Sequence, residues 1–372
     1  MKNNYCTFLL LSFLLISCSN TLKNSELIEI SVDTDQTVSL QLSEITENVR
    51  AVELETTVES MINPDRISRV LTLDGNVIIV QSNKILLFNP DGKFIRSIGS
   101  KGQGPGEFIS IRNVAADEKN NRLFVISNPK IICYNINGNF LRESSLAHKT
   151  ETWGSIKDIN YINDEVIIIV DEVRNDDKGS YTHSVIYRLN DDLNITDSCA
   201  IRDTKSISVW LNYFQNYVLQ VNSNIYLFYP YTFMRSEIPV EKVFRDTLYL
   251  FKNNALVPEY RLKFSKDLFD GEGKANYSLY HLYRSSRYVF ALYYDLKKDF
   301  ENCSFCFCYD SKTGKGYNMQ DGFVDDIYKI DKRVKIRPFI SNTDLFYYWH
   351  TNMKPDDREE PNPTLYVGRL KK

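Results

Sequence analysis

Three observations predict that this chain is all-β and built from repeats. First, residues 85–96 (ILLFNPDGKFIR) and 131–142 (IICYNINGNFLR) carry Ile, Asn, Gly, Phe and Arg at matching places, offset by 46 positions. Second, the apolar runs ahead of them, 77–80 (VIIV) and 123–126 (LFVI), keep that offset. Third, no long stretch after Cys18 has helical periodicity, while Tyr (24) and Phe (21), which suit half-buried strands, are abundant. Each unit reads as strand, short break, strand, Asp-Gly or Asn-Gly turn, strand. Such turns between apolar runs signal hairpins, because both central residues of a type I′ turn need positive φ. Further apolar cores begin at Val166, Ile225, Val289 and Leu345, which with Val77 and Leu123 makes six. Four-stranded units recurring at about 40–50 residues are the signature of a β-propeller. The predicted fold is a six-bladed β-propeller of four-stranded antiparallel blades.

The elements follow in order. Residues 1–17 have a basic start (Lys2), an apolar run from Phe8 to Ile16 and a small residue before Cys18. The run is shorter than the roughly 20 residues a spanning helix needs, and its layout is that of a secretory signal. Leu-Ile-Ser-Cys resembles a bacterial lipobox, which implies cleavage before Cys18 and lipid on that cysteine. Residues 18–27 are then the lipidated cysteine and a polar tether, and residues 28–372 a single propeller domain. Residues 49–55 (VRAVELE) alternate like a strand yet precede the first unit. They are predicted to join the last blade near residues 365–370, since an unpaired blade edge would invite aggregation. Partner strands are expected at 184–189, 247–251, 304–309 and 365–370.

Four motifs resemble the six-bladed β-propeller lipoproteins of Bacteroidetes, which are related to NHL-repeat propellers. They are VELET at 52–56, GKFIRSIG at 92–99 running into GQGPGEF at 102–108, FRDTLY at 244–249 followed by PEYRL at 258–262, and the terminal LYVGRL at 365–370. The resemblance covers nearly the whole mature chain. It implies the fold and an address in the cell envelope but no settled activity, and Ser19 rather than Asp after Cys18 points to the outer membrane. Long insertions obscure the repeat in blades four to six.

Composition bounds the partners. A formal net charge of −3 gives no strong field for nucleic acid. Once the signal and Cys18 are set aside, Cys133, Cys199, Cys303, Cys306 and Cys308 remain. They are an odd number in apolar runs, so core packing rather than disulfides is expected. In a strand, Cys306 and Cys308 share a face, but no second pair completes a tetrahedral zinc site. His148, His183, His281 and His350 have no metal-binding spacing, so no metal and no cofactor are predicted. The glycine-rich stretch from Gly99 lacks the phosphate-loop spacing and reads as a tight crossover between blades. Trp153, Trp210, Tyr213, Phe214, Tyr217, Tyr229, Tyr231 and Phe233 cluster around blades three and four, mostly as packing.

No catalytic motif stands out. The leading reading is a lipid-anchored envelope protein that binds or scaffolds a glycan, a peptide or a partner protein. The alternative is an enzyme, lactonase-like or polysaccharide lyase-like, with a polar site in the central channel; three or more converging carboxylate, Asn or His side chains would mark it. Ligand-binding residues are expected around the central opening: Glu107 and Arg112 after the glycine-rich crossover, Trp153 entering blade three, and Tyr283 and Arg284 before the core of blade five. Arg offers a planar fork for carboxylate or sulfate and Trp a stacking face.

Overall fold

The computed structural model describes residues 27–145, 154–177, 179–204, 217–229, 245–270, 275–351 and 361–372. Trp153, Trp210, Tyr213, Phe214, Tyr231 and Phe233, like Cys18, lie outside them. The chain opens with strand β1 (Ile28–Val32), the short helix α1 (Leu42–Ile45) and strand β2 (Thr46–Glu53). Six blades follow. Blade 1 holds β3 (Ile67–Leu73), β4 (Asn76–Gln81), β5 (Lys84–Phe88) and β6 (Phe94–Ser97). A crossover with the two-residue strands β7 (Ser100–Lys101) and β8 (Glu107–Phe108) leads to blade 2, β9 (Asn113–Asp117), β10 (Arg122–Ser127), β11 (Lys130–Asn135) and β12 (Phe140–Ser145). Blade 3 is β13 (Gly154–Ile162), β14 (Glu165–Asp176), β15 (Gly179–Leu189) and β16 (Ile195–Thr204). Blade 4 is β17 (Val218–Val221), β18 (Asn224–Leu227), β19 (Thr247–Lys252) and β20 (Ala255–Phe264). Blade 5 is β21 (Tyr277–Arg284), β22 (Tyr288–Asp295), β23 (Ser304–Asp310) and β24 (Lys315–Gln320). Blade 6 is β25 (Arg337–Phe339), β26 (Asn342–His350), β27 (Thr364–Leu370) and, as its outer strand, β2.

The predicted six-bladed propeller is therefore present. All six predicted apolar cores are the second strands of their blades, β4, β10, β14, β18, β22 and β26. Their runs are continuously apolar because a neighbouring blade covers each face. Val77, Ile78, Ile79 and Val80 in β4, for instance, are all at most 1% exposed. Ile78 and Val80 face one apolar cluster while Val77 and Ile79 face the next, so alternate side chains weld a blade to its two neighbours. Each such side chain is worth about 1.5–3 kcal/mol of burial. In β23, likewise, Cys306 and Cys308 face one cluster and Phe305 and Phe307 the other. Burial pushes the Cys306 thiol up to about 12 and that of Cys308 well above its ordinary value. They pack as small apolar groups.

Closure uses the N-terminal strand as predicted. β2 runs antiparallel to β27, with Val49 opposite Gly368 and Val52 opposite Leu365. Val52 and Leu365 are buried in one cluster with Phe88 of blade 1. One feature was not foreseen. β1 adds to blade 4 as a fifth strand, parallel to β20, with Ile30 opposite Leu262. Between β1 and β2 the chain crosses blade 5, where Val38 N donates to Asn318 O at 2.8 Å. Residues 28–53 thus strap the outer rims of blades 4, 5 and 6.

Candidate functional site

The inner strands β3, β9, β13, β17, β21 and β25 surround the central channel, and all begin at the same mouth. At that mouth lies a cavity of about 420 Å³ lined by Asp65, Arg66, Ser68, Ser82, Ser110, Ile111 and Arg112. Local chemistry fixes both arginine-bearing turns. Asn63 caps the turn Pro64–Arg66 by accepting from Asp65 N at 3.0 Å, and its own carbonyl accepts from Gln81 Nε2 at 2.6 Å. Beside it, Ile111 N donates to Ser82 O at 2.7 Å and Arg112 N to Ile126 O at 2.9 Å. Asp65, Arg66, Ser82 and Ser110 are exposed, Ser68 and Arg112 half-buried, and Ile111 buried. Lys157 on β13 stands outside that lining. Its amine sits 3.6 Å from Asp171 with a side chain only 7% exposed. Burial lowers the Lys157 pKa, Asp171 opposes that shift, and the Arg112 charge adds to it.

One layer deeper, a polar assembly closes the channel. Asp158 is 0% exposed and Arg69 1%. Asp158 Oδ1 accepts from Arg69 Nη2 at 2.7 Å, Asn113 Nδ2 at 2.7 Å and Ile159 N at 2.9 Å. Its Oδ2 accepts from Asn160 Nδ2 at 3.0 Å, Tyr217 N at 3.0 Å and Val218 N at 3.3 Å. Arg69 also donates to the carbonyls of Val114 (2.8 Å) and Ile159 (2.9 Å). These groups come from blades 1, 2, 3 and 4. Below them a cavity of about 20 Å³, room for one water, is lined by Leu71, Thr72, Ala115, Ala116, Asn160 and Tyr161, with Phe339, Ile340 and Ser341 of blade 6. There Gln220 N donates to Ile340 O at 2.9 Å, which ties blade 4 to blade 6.

The layers follow strand register. Arg66 and Ser68, Arg112, and Lys157 stand at the mouth in blades 1, 2 and 3. Arg69, Asn113 and Asp158 come next, and Leu71, Ala115 and Asn160 last. The mouth cavity is thus a cup formed by blades 1 and 2, with the Asp158 assembly one register layer deeper. Asp158, Asn113 and Asn160 do converge, as a channel enzyme would require. The Asp158 oxygens, however, are saturated by six donors and enclosed, so they offer a substrate no open acceptor.

The expected site residues do not meet. Arg112 lines the cup. Glu107 is turned into its own crossover, where its carboxylate accepts from Gly104 N at 2.8 Å. It also occupies the space a Cβ on Gly102 would need, since that atom would lie 2.0 Å from Glu107 Oε2. The crossover is the tight structural connection its glycines suggested: Gly99, at φ +71°, packs its bare Cα against the Tyr134 ring. Trp153 lies outside the described residues. Tyr283 and Arg284 end β21 rather than begin an inner strand, so strand polarity sends them to the mouth opposite Arg112. Tyr283 is 1% exposed and donates to Ile336 O at 3.2 Å, and burial drives its pKa well above the ordinary phenol value. Arg284 pairs with Glu259 at 2.7 Å and lies over the rings of Tyr226 and Tyr260 at 5.3 and 5.0 Å, clamping blade 5 to blade 4. Tyr217 and Tyr229, from the aromatic cluster, are buried with ring centroids 4.9 Å apart. Asp65 and Arg66 were missed. They lie in the turn ahead of β3, and the repeat does not point to them, because the inner strands are offset by 44 and align Arg112 with Ser68.

Fold and site define a closed six-bladed β-propeller with a cationic cup at one mouth. The chain belongs to the family described as a domain of unknown function (DUF4934), whose model matches residues 25–365. It is similar in fold to the crystal structure of a Bacteroides fragilis protein provisionally described as exported, at 18% identity and a TM-score of 0.66, covering 92% of this chain and 100% of that one. Weaker likenesses are to the WD40 domain of Pan2 from Neurospora crassa (10% identity, TM-score 0.41, 82% of this chain and 76% of that one) and to the propeller domain of a trilobed protease from Pyrococcus furiosus (12%, 0.38, 82% and 83%). No protein of curated function matches the chain.

Proposed function

We propose that this is an exported binding or scaffolding protein of the cell envelope, anchored by lipid on Cys18, that receives its ligand in the cup at the strand-start mouth. The observation that carries the reading is a cavity of about 420 Å³ at the strand-start mouth, lined by two arginines, an aspartate and three serines. Its size falls in the range of roughly 300–1,000 Å³ usual for small-ligand sites. Arg112 is the one expected site residue that supports the reading. The anchor, the outer-membrane address and kinship with Bacteroidetes lipoproteins and NHL-repeat propellers rest on the sequence motifs. A glycan, peptide or partner protein is the ligand class.

Two variants test it. Cys18→Ala is expected to leave the protein as unprocessed precursor or to release it from membranes, because stable anchoring needs the acyl chains. Normal processing with unchanged membrane partitioning refutes the anchor. Ser110→Trp fills the cup from its exposed rim and is expected to abolish signals on a glycan or peptide array. An array profile equal to that of the unmodified protein refutes the cup as the binding site.

A further inference from the structure

We infer that the cup takes an acidic sugar, a unit carrying a carboxylate or sulfate, in preference to a neutral one; this rests on the cup being the binding site. Its lining has three parts. Arg66, in the turn before β3, and Arg112, just before β9, both line the cavity, so two guanidinium forks stand at one mouth. Such forks match the paired oxygens of a carboxylate or sulfate. Lys157, one blade further on, lies outside the lining and is paired with Asp171 at 3.6 Å.

The second part is hydroxyl chemistry. Ser68, Ser82 and Ser110 each bring a hydroxyl, and Asp65 a carboxylate, into the same cavity. The Ser68 proton is committed to Val80 O at 3.1 Å, so its oxygen is left as an acceptor. Among the described residues no ion pair engages Asp65 or Arg66. Asp65 therefore serves as an acceptor for ligand hydroxyls, which a simple anion does not possess. The third part is Ile111, the one apolar residue of the lining, which is buried in the core and offers a ligand little apolar face. An acidic peptide would need more apolar lining for its side chains. A polyol bearing one negative group uses the polar groups present.

Titration of the folded mature protein with glucuronate, glucose and inorganic sulfate, followed by calorimetry and NMR, tests this. Glucuronate is expected to bind at least tenfold more tightly than glucose, and less tightly as salt rises. Arg66→Ala and Arg112→Ala should each weaken glucuronate by roughly tenfold or more, the scale of a lost charge-assisted hydrogen bond. Asp65→Asn should weaken glucuronate while leaving sulfate unchanged. These rim variants must keep the parent unfolding midpoint. Glucose binding equal to glucuronate and indifferent to both Arg→Ala changes overturns the acidic class, and loss of that binding in Ser110→Trp then leaves the cup intact. Glucuronate binding that survives all three variants overturns inference and cup together. Binding of sulfate without any sugar, or of no probe at all, overturns the sugar assignment.

Discussion

Asp158→Ala is the change that probes the centre of the ring. The carboxylate collects six hydrogen bonds from four blades with no exposure to water. Its loss takes the carboxylate from the buried Arg69 guanidinium, which lies against the carbonyls of Val114 and Ile159, and orphans the buried amides of Tyr217 and Val218. Breaking a buried ion pair from one side costs about 3–5 kcal/mol. Each orphaned amide adds about 1–3 kcal/mol, less whatever a water in the new cavity restores. A loss of about 4 kcal/mol or more is expected, a large part of the roughly 5–15 kcal/mol that holds a domain folded. Arg69→Met alone leaves a buried carboxylate with five donors and should cost less. In the double variant each change removes the cause of the other's penalty. The double loss should therefore fall short of the sum of the single losses by about 2 kcal/mol or more, well outside the additivity of about 0.5 kcal/mol seen for independent sites. Urea unfolding of the four proteins measures this. Additive losses, or a single loss under about 1 kcal/mol, refute the claim that this assembly locks four blades.

Two further outcomes follow from the fold. Removal of residues 46–53 exposes the edge of β27 and the apolar face of Val52's partners, so the midpoint of the whole domain, rather than a minor early phase, should fall in calorimetry; an unchanged midpoint would mean that β2 does not close the ring. His281 is buried beside Arg337 and near the Tyr283 ring, and desolvation first, then Arg337, holds its pKa at about 3 against an ordinary 6.5. The unfolded chain takes up this proton as pH falls through 6.5 while the folded chain does so only near 3, so stability declines across that window, by about 2 kcal/mol at pH 5. His281→Leu should flatten the slope of urea stability between pH 7 and 5, and a variant with the parent slope contradicts the assignment. Asp310, held at about 2 chiefly by Arg287, loses its contribution only below the ordinary carboxylate range and does not blur the test.

Blade number and ring closure could be read from the sequence because both leave local marks. Second strands are apolar without alternation, and β2 alternates where no blade needs it. The fifth strand of blade 4 leaves no such mark. Ile28–Val32 reads like any short strand, and its partner lies more than 200 residues away with nothing local to name it. The site was half readable for the same reason. Arg112 precedes the inner strand of a clear repeat. Blade 5 is divergent, so the apolar run of β22 was mistaken for an inner strand, and Tyr283 and Arg284 were placed one strand too late and at the wrong mouth. The Asp158 assembly was not foreseen at all. Asp158 and Arg69 belong to different blades and sit in unremarkable strand sequence, and only the closed ring brings their charges together.

The strand that shuts the ring, β2, is made before every other strand of its blade. Glu55, just beyond it, accepts a hydrogen bond from Asn362, 307 positions later. β1 waits likewise for β20. A ribosome, or a translocation pore fed from the N-terminus, therefore delivers the latch long before the catch. Loop closure over such a span is slow, and the unfinished blade shows an unpaired edge in the meantime. The last described strand, β27, then decides the fate of β2. Clipping the end at Thr364 would leave β2 with nothing to pair, so damage at either terminus should produce the same open ring, and a truncated product should be a substrate for proteases over its whole length.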